Sequence, residues 1–320
     1  MHKKKVYSNI ELLSNDNTYT VTTGHQLNLF LSPLFLIYKI TSVIAYCRYL
    51  NKNIKDKYFV PCFWMATEDH DFNEINNASF FNKNYLWSIK HKNAIGNLSN
   101  KEILPLLKDI GGDKYGSQLY DLYTFAYTNN INYADANRSL LNSFFSDYGL
   151  VVVDGNHVDL KKKFINDFKL EVNNQLVFSS VNKTNNQLSQ KYKPQINPLH
   201  ENIFYLHNSI RSKIQFNSKK YYSKKHQKVW SKFELLNEIE LYPERFSPNV
   251  FLRTLYQQRI LPNVLYVGGP SEIAYWLQTK NMFTDFNVQF PFLALRSSFL
   301  ILSKKMTNFQ LNYGLSSLDL

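Results

Sequence analysis

The chain has 320 residues and a mass of 37.7 kDa, and 44% of its residues are hydrophobic and 16% aromatic. This composition excludes a disordered protein, because disordered chains are poor in aromatic and β-branched residues. The formal net charge of +12 favours anionic partners, such as phosphates, carboxylates, nucleic acid or anionic lipid. Part of the excess lies in lysine runs such as 161–163, which we expect to be solvated surface.

The sequence contains no apolar stretch of about 18 residues, and its start lacks the apolar segment of a signal peptide. We therefore expect a cytoplasmic protein without a membrane partner. Cys47 and Cys62 form no C-x-x-C motif and lie in apolar patterns. Both are expected to be inert thiols of the core.

The first predicted unit is a strand, a turn and a helix. The β-branched run 19–23 predicts the strand. Ser32 fits the N-cap of the helix and Pro33 its first position, where a missing N–H is harmless. The continuous apolar run 58–66 then predicts a strand buried on both faces, as parallel strands are. Together these elements predict a βαβ unit.

Further strands are predicted at 149–154, 264–267 and 288–295, with helices over 137–148 and 272–278. This alternation predicts an α/β fold with a parallel sheet and helices on both faces. Two polar stretches, at about 76–133 and 169–242, lack linker composition. They are predicted to be insertions that cover the site.

In open α/β sheets ligands bind beyond the carboxyl ends of the strands, and three polar clusters fall there. The first cluster is the turn after the first strand, where backbone N–H groups and a helix dipole would hold a phosphate or carboxylate. Its candidate binding residues are Gly24, His25, Gln26 and Asn28. A tight turn that merely needs a glycine is the alternative.

The second cluster directly follows the apolar strand. Polar residues there are costly to bury unless paired, which makes them candidates for acid–base work or substrate binding. Asp69 and His70 are the candidate catalytic residues, and Glu68 and Asp71 are candidate binding residues. An acid-rich helix N-terminus is the alternative. One histidine among carboxylates defines no metal geometry, so we predict no metal site.

The third cluster begins before a predicted helix. Ser247 and the proline after it mark a helix start, which places Asn249 and Arg253 one turn apart on the same face. Arg245 and Arg253 offer planar guanidinium groups suited to carboxylate or phosphate.

The same cluster continues after the strand at 264–267. Gly268 and Gly269 permit close backbone approach to a ligand, although a simple turn is the alternative. Glu272 and Tyr275 follow as candidate binding residues, with a place in the core as the alternative for Tyr275.

Taken together, the three clusters resemble one family, the bacillithiol biosynthesis cysteine-adding enzymes. Order and spacing both fit, and the matching stretches are 23–26 with 33–34 and 38–39, 60–71, 243–249 with Arg253, and 266–276. The resemblance implies a Rossmann-like catalytic core with two inserted connecting-peptide regions, expected over residues 1–310. It also implies a ligase that joins L-cysteine to glucosaminyl malate through an amide.

The chain departs from the family pattern in two ways. The family commonly has Gly-Gln-Gln where this chain has Gly24, His25 and Gln26. Family members are also longer, with a C-terminal coiled coil that mediates dimerisation. We expect residues 311–320 to be a stub at which that coiled coil would begin, and the homodimer contact to be lost.

Amide formation from a free carboxylate is uphill in water, so the cysteine carboxylate would need activation, most simply by ATP. The sequence identifies no cofactor, and ATP or ADP are the candidates. In this hypothesis the Gly24 turn holds phosphates and Asp69 or His70 takes the amine proton. Arg245, Asn249 and Arg253 hold the malate carboxylates.

The alternative from another class is a basic nucleic-acid-binding protein without catalytic activity. It explains the net charge but not the acids at the strand end, because Glu68, Asp69 and Asp71 would repel a phosphate backbone. The sequence therefore favours small-molecule substrates and no nucleic-acid partner.

Overall fold

The computed structural model describes residues 4–80, 83–89, 94–108, 110, 116–217 and 219–316. Its strands are β1 (Thr18–His25), β2 (Tyr58–Met65), β3 (Asn77–Phe80), β4 (Lys83–Leu86), β5 (Val151–Asp154), β6 (Ile203–His207), β7 (Ile210–Lys213), β8 (Gln215–Asn217), β9 (Lys220–Ser223), β10 (Lys228–Trp230), β11 (Phe246–Pro248), β12 (Asn263–Gly268) and β13 (Phe292–Leu295).

The α-helices are α1 (Lys4–Leu12), α2 (Leu34–Asn53), α3 (Leu104–Leu107), α4 (Gly116–Asn129), α5 (Tyr133–Phe145), α6 (Val158–Lys162), α7 (Ile165–Asn174), α8 (Leu176–Leu188), α9 (Lys232–Leu241), α10 (Leu252–Ile260), α11 (Pro270–Gln278), α12 (Lys280–Asp285) and α13 (Lys304–Tyr313). Short 3-10 turns lie at Leu29–Leu31, Phe72–Glu74, Ile95–Asn97, Ser146–Tyr148 and Pro243–Arg245. No helix in these described segments is long and apolar enough to cross a membrane.

A five-stranded sheet with the order β13-β12-β1-β2-β5 forms the centre of the molecule. All four neighbouring pairs are parallel, which confirms the predicted α/β fold. Because neighbouring strands run the same way, their carboxyl ends meet at one edge of the sheet. The polar clusters after β1, β2 and β12 are thereby brought to that edge.

Both faces of the sheet are covered, as β2 illustrates. Phe63 and Met65 belong to a core cluster with side chains of α2, α4 and α5. Cys62 and Trp64 point the other way, into a cluster with side chains of α7, α10 and α11. The last seven residues of β2 are all buried, which confirms the prediction of a strand buried on both faces.

The insertions predicted at about 76–133 and 169–242 contain regular structure. The first includes the antiparallel hairpin β3-β4 and the helix α4. The second contributes the small sheet β10-β9-β8 and the strands β6 and β7, which form another small sheet with β11. The division into a core and a C-terminal stub stays a prediction, and residues 317–320 of the stub lie outside the described residues.

Two local predictions were wrong. The helix after β1 begins at Leu34 with Pro33 as its N-cap, one residue later than the sequence predicted. Of the lysine run assigned to solvated surface, Lys161 is fully buried, whereas Lys162 and Lys163 are exposed. The buried position follows from an ion pair described below. Cys47 and Cys62 are buried, and burial raises the pKa of both thiols, as expected of core cysteines.

Candidate functional site

A cavity of about 770 Å³ opens at the carboxyl edge of the central sheet. Its walls come from the ends of β1 and β2, from α10 and the start of α11, and from β6 and β7 of the second insertion. Most of the residues predicted from the sequence line it, namely Gly24, His25, Gln26, Glu68, Asp69, Asn249, Arg253, Gly269, Glu272 and Tyr275.

Other predicted residues lie outside the lining of this cavity. Arg245 pairs with Glu238, with 3.3 Å between Nη1 and Oε1, and its guanidinium stacks 3.9 Å from the ring centre of Tyr242. Asn28 lines a separate, larger cavity of about 1070 Å³. Asp71 is exposed. Arg245 therefore does not reach the ligand position that the sequence analysis gave it.

The loop predicted around Gly24 has a different structure. Gly24 and His25 are the last residues of β1 and pair with Trp64 and Met65 of β2. A 3-10 turn at Leu29–Leu31 separates them from α2. The prediction that Gly24 lies in a turn leading directly into a helix N-terminus was therefore wrong, because the strand continues through His25.

Glu272 is the centre of one polar group in the cavity. Its carboxylate accepts hydrogen bonds from Lys39 Nζ at 2.8 Å, from the backbone N–H of Gly269 at 2.8 Å and from the Tyr266 hydroxyl at 3.0 Å. Burial alone would raise the pKa of Glu272, but the charge of Lys39, the hydrogen bonds from Gly269 and Lys39, and His25 together outweigh it and lower that pKa. Lys39, which also donates to the carbonyl of Gly24, has its own pKa lowered by burial.

A second buried ion pair supports the loop after β2. Lys161 is fully buried, and its Nζ lies 2.5 Å from Oε2 of Glu68. It also donates to the carbonyl of Phe246, at the start of β11. Lys161 thus connects the loop after β2, through Glu68, to β11, through Phe246. Burial lowers the pKa of Lys161.

Asp69 is held by two hydrogen-bond donors and one cation. It accepts from Gln26 Nε2 at 3.0 Å and from the backbone N–H of His70 at 2.7 Å, and Arg211 Nη1 lies 3.8 Å from Oδ1. Burial would raise the pKa of Asp69, but the charge of Arg211, the hydrogen bonds from Gln26 and the His70 backbone, and the His70 side chain together outweigh it and lower that pKa. Asp69 is thus a carboxylate at neutral pH and a weak base.

His70 lies outside the cavity lining, with its side chain 42% exposed. Its Nδ1 is 3.1 Å from Nη1 of Arg211. Because a guanidinium nitrogen only donates, Nδ1 is the acceptor and the ring proton is on Nε2. Burial, followed by the charge of Arg211, lowers the pKa of His70. His70 is therefore a neutral donor through Nε2 rather than a free base.

Arg211 was missed by the sequence analysis. It lies on β7 in the second insertion, and apart from His70 and Asp69 it donates to the Ser247 hydroxyl at 2.7 Å and to the Pro248 carbonyl at 2.8 Å. The predicted residue Ser247 thus supports Arg211 and does not line the cavity. No motif surrounds Arg211 in the sequence, so only the fold reveals it.

Lys39 and Lys161 were also given no role. Lys39 lies three residues after Leu36 and four before Val43, on the buried face of α2, and a charge at such spacing from apolar residues is itself a signal. Lys161 carried no such signal, because it stands in a run of lysines typical of surface.

Arg253 points to the cavity from the first turn of α10. Its Nη2 donates to the Tyr275 hydroxyl at 2.6 Å, and among the described residues no carboxylate comes within 4.0 Å of it. The helix itself begins at Leu252, later than predicted, because Ser247 and Pro248 belong to β11 and pair with β6.

Asn249 caps this helix. Its Oδ1 accepts from the backbone N–H groups of Phe251 at 3.1 Å and Leu252 at 2.9 Å. Arg296 also lines the cavity, and its backbone N–H donates to the carbonyl of Gly268 at 2.9 Å. Gly268 therefore ends β12 and positions Arg296 without lining the cavity.

His25 is neutral. Burial, followed by the charge of Lys39, lowers its pKa to about 4. Its Nδ1 lies 3.2 Å from the carbonyl of Gln26, so that nitrogen is the donor and Nε2 keeps its lone pair. Across the described residues, no group of three or more histidine, cysteine, aspartate and glutamate side chains is placed to hold a metal ion.

Fold and site together define a Rossmann-like α/β protein with a charged small-molecule cavity at the carboxyl edge of its sheet. The family described as "Bacillithiol biosynthesis BshC, N-terminal Rossmann-like domain" matches residues 1–297. The chain belongs to this family, which confirms the resemblance and the Rossmann-like fold.

The relatives carry the name "Putative cysteine ligase BshC". The protein of Flavobacterium johnsoniae is 42% identical over 320 residues, which cover 98% of this chain and 60% of that protein. The protein of Flavobacterium psychrophilum is 41% identical over 305 residues, 93% of this chain and 56% of its own length. The protein of Christiangramia forsetii is 41% identical over 318 residues, which cover 94% of this chain and 58% of that protein. The chain thus spans about three fifths of the length of these relatives.

Proposed function

We propose that the chain contributes the substrate cavity of a cysteine ligase that adds L-cysteine to glucosaminyl malate, forming an amide, in bacillithiol biosynthesis. The observation that carries the proposal is the charge arrangement in the cavity. Glu68, Asp69 and Glu272 each face a buried cation, whereas Arg253 has no carboxylate within 4.0 Å among the described residues. The names of the relatives supply the reaction.

The malate end of the substrate is proposed to bind at Arg253, with Asn249 beside it. A guanidinium can grip a carboxylate through two parallel hydrogen bonds. Arg296 replaces Arg245 in this proposal, because Arg296 lines the cavity and Arg245 pairs with Glu238 outside it. The charges of Arg253 and Arg296 both contribute to lowering the pKa of Lys39, after burial, so the two guanidiniums act on the same region.

The amine end is proposed to bind at Asp69. Its ionised carboxylate would hold the glucosamine ammonium group and align it, while its lowered pKa makes it a weak general base. His70 would act as a hydrogen-bond donor through Nε2. Catalysis in this scheme depends on positioning and electrostatics, since activation of the cysteine carboxylate, most simply by ATP, supplies the free energy.

Mass spectrometry of a reaction with glucosaminyl malate, L-cysteine and ATP tests the proposal. The expected product is heavier than glucosaminyl malate by one cysteine residue. Reactions without cysteine, and with Asp69→Asn, are the controls. A folded wild-type chain that binds none of the three compounds, and yields no product, would contradict the assignment of the cavity.

A further inference from the structure

A relay of hydrogen bonds runs to the cavity from Glu171, a side chain with 3% exposure near the end of α7. One carboxylate oxygen, Oε2, accepts from the backbone N–H of Val177 at 2.9 Å. The other, Oε1, accepts from Nδ2 of Asn202 at 2.8 Å. Both partners are donors, so Glu171 accepts on both sides when its carboxylate is ionised, above its raised pKa of about 7.

The next two side chains take their orientation from Glu171. Since the NH2 group of Asn202 faces Glu171, its Oδ1 faces outward and accepts from Nδ2 of Asn249 at 2.7 Å. The Oδ1 of Asn249 is thereby turned to the backbone N–H groups that open α10, those of Phe251 and Leu252. Each amide can satisfy its partners in one orientation only.

The relay spans two cavities. Glu171 and Asn202 line a third, smaller cavity of about 350 Å³, whereas Asn249 and Phe251 line the cavity of about 770 Å³ proposed to bind substrate. The backbone carbonyl of Asn249 also accepts from the N–H of Arg253 at 2.9 Å. The last member of the relay is therefore the residue that fixes the first turn of the helix carrying Arg253.

We propose that Glu171 is a positioning residue for the substrate cavity: through Asn202 it fixes the amide of Asn249, and through Asn249 it fixes the helix turn that presents Arg253 to the substrate. Glu171 touches no substrate in this scheme. The part that concerns substrate rests on the proposed function, whereas the relay itself does not.

Exchange of acid and amide groups along the relay provides the test. In Glu171→Gln one oxygen becomes an NH2 group, which cannot accept from both Val177 and Asn202. If the amide of Asn202 rotates to give the glutamine of this variant an acceptor, its NH2 group then faces the NH2 group of Asn249. If Asn249 also rotates, its Oδ1 no longer accepts from the N–H groups at the start of α10. The double variant Glu171→Gln with Asn202→Asp restores an acceptor for every donor of the relay, and it leaves the net charge unchanged. The double variant loses one contact, the hydrogen bond of 3.4 Å from Asn202 Nδ2 to the carbonyl of His200, because an aspartate has no donor there.

Steady-state kinetics should separate positioning from general damage. At pH 8, where the carboxylate of Glu171 is ionised, we expect Glu171→Gln to raise the KM for glucosaminyl malate by about 10-fold, with the KM for cysteine and kcat changed by less than about twofold. The double variant should return the KM for glucosaminyl malate close to the wild-type value. Equal losses in both variants, or no change in Glu171→Gln, would overturn the inference.

Hydrogen exchange of the backbone N–H groups of Phe251 and Leu252 gives a reading independent of activity. Exchange should be faster in Glu171→Gln and recover in the double variant, because Asn249 Oδ1 protects both groups. Unchanged exchange of these two groups in Glu171→Gln would overturn the relay, whatever the result of the kinetic measurements. If exchange behaves as expected and the wild-type chain yields no product, then the proposed function fails and the relay stands.

Discussion

Arg253 differs from Lys39, Lys161 and Arg211 because its described partner is a phenol, the hydroxyl of Tyr275, rather than a carboxylate. Lys39 pairs with Glu272, Lys161 with Glu68, and Arg211 lies beside Asp69. A largely desolvated guanidinium with no carboxylate within 4.0 Å among the described residues is a good binding group for an anion.

Arg253→Lys keeps the charge and loses the planar fork. Hydrogen bonds to charged groups contribute about 1.5 to 3 kcal/mol each, so losing one should weaken glucosaminyl malate binding by roughly 10- to 150-fold. Cysteine binding should barely change. Calorimetric titration of wild type and variant with both compounds measures this. An equal loss for both compounds would reject the assignment of Arg253 to the malate end.

The pair of Lys161 and Glu68 predicts a stability effect. Lys161→Met leaves the carboxylate of Glu68 without its buried cation, and breaking such a pair costs about 3 to 5 kcal/mol. The double variant Lys161→Met with Glu68→Gln should recover part of that loss, because no unpaired charge is left. Urea unfolding of the three proteins provides the free energies of unfolding. A single variant as stable as wild type would show that the pair is not needed.

Sequence reasoning found the acids of the cavity but missed their cations. Glu68, Asp69 and Glu272 follow the ends of strands within four residues, and that position along the chain is enough to place them near the edge of the sheet. Their partners come from elsewhere: Lys161 from α6 and Arg211 from β7. Such pairings depend on how distant elements pack, and a single sequence does not contain that information.

At the scale of elements, strands were predicted more reliably than the residues where helices begin. The runs 19–23 and 58–66 correspond to β1 and β2, since burial on both faces leaves a continuous apolar pattern. The start of α10 was placed too early. Ser247 and Pro248 are typical of a helix start, but they also fit the edge strand β11, which they form. Pairing with β6, which lies more than 40 residues earlier in the chain, makes this segment a strand rather than a helix start.

Glu171 links α7 to α8 and makes a prediction about pH. Burial raises its pKa from 4.5 to about 7, although its hydrogen bonds oppose the shift. Between these pH values the folded protein keeps a proton that the unfolded chain has released, so the contribution of Glu171 to the free energy of unfolding falls as pH rises. The full difference is roughly 3 kcal/mol. Urea unfolding at pH 5 and pH 8 should show this loss in wild type and a smaller one in Glu171→Gln, whereas equal losses would contradict it.

For the whole molecule, a net charge of +12 and the guanidiniums of Arg253 and Arg296 both favour anions, and a stability measurement can separate them. We expect malate and ATP to stabilise the fold, by roughly 2.7 kcal/mol at a concentration of about 100 times the dissociation constant. The double variant Arg253→Gln with Arg296→Gln should lose this gain, because the cavity then lacks the two guanidinium groups that have no carboxylate within 4.0 Å among the described residues.

Lys224→Gln with Lys225→Gln is the matched control, since it removes the same two charges from exposed positions. Thermal unfolding with and without each anion compares the three proteins. If the cavity is the site, the lysine variant keeps the wild-type gain in melting temperature and the arginine variant does not. If both variants lose the gain to the same extent, the anions respond to overall charge rather than to the cavity. Raising the salt concentration should then abolish the gain in wild type as well, because interactions between exposed charges are screened beyond about 8 to 10 Å.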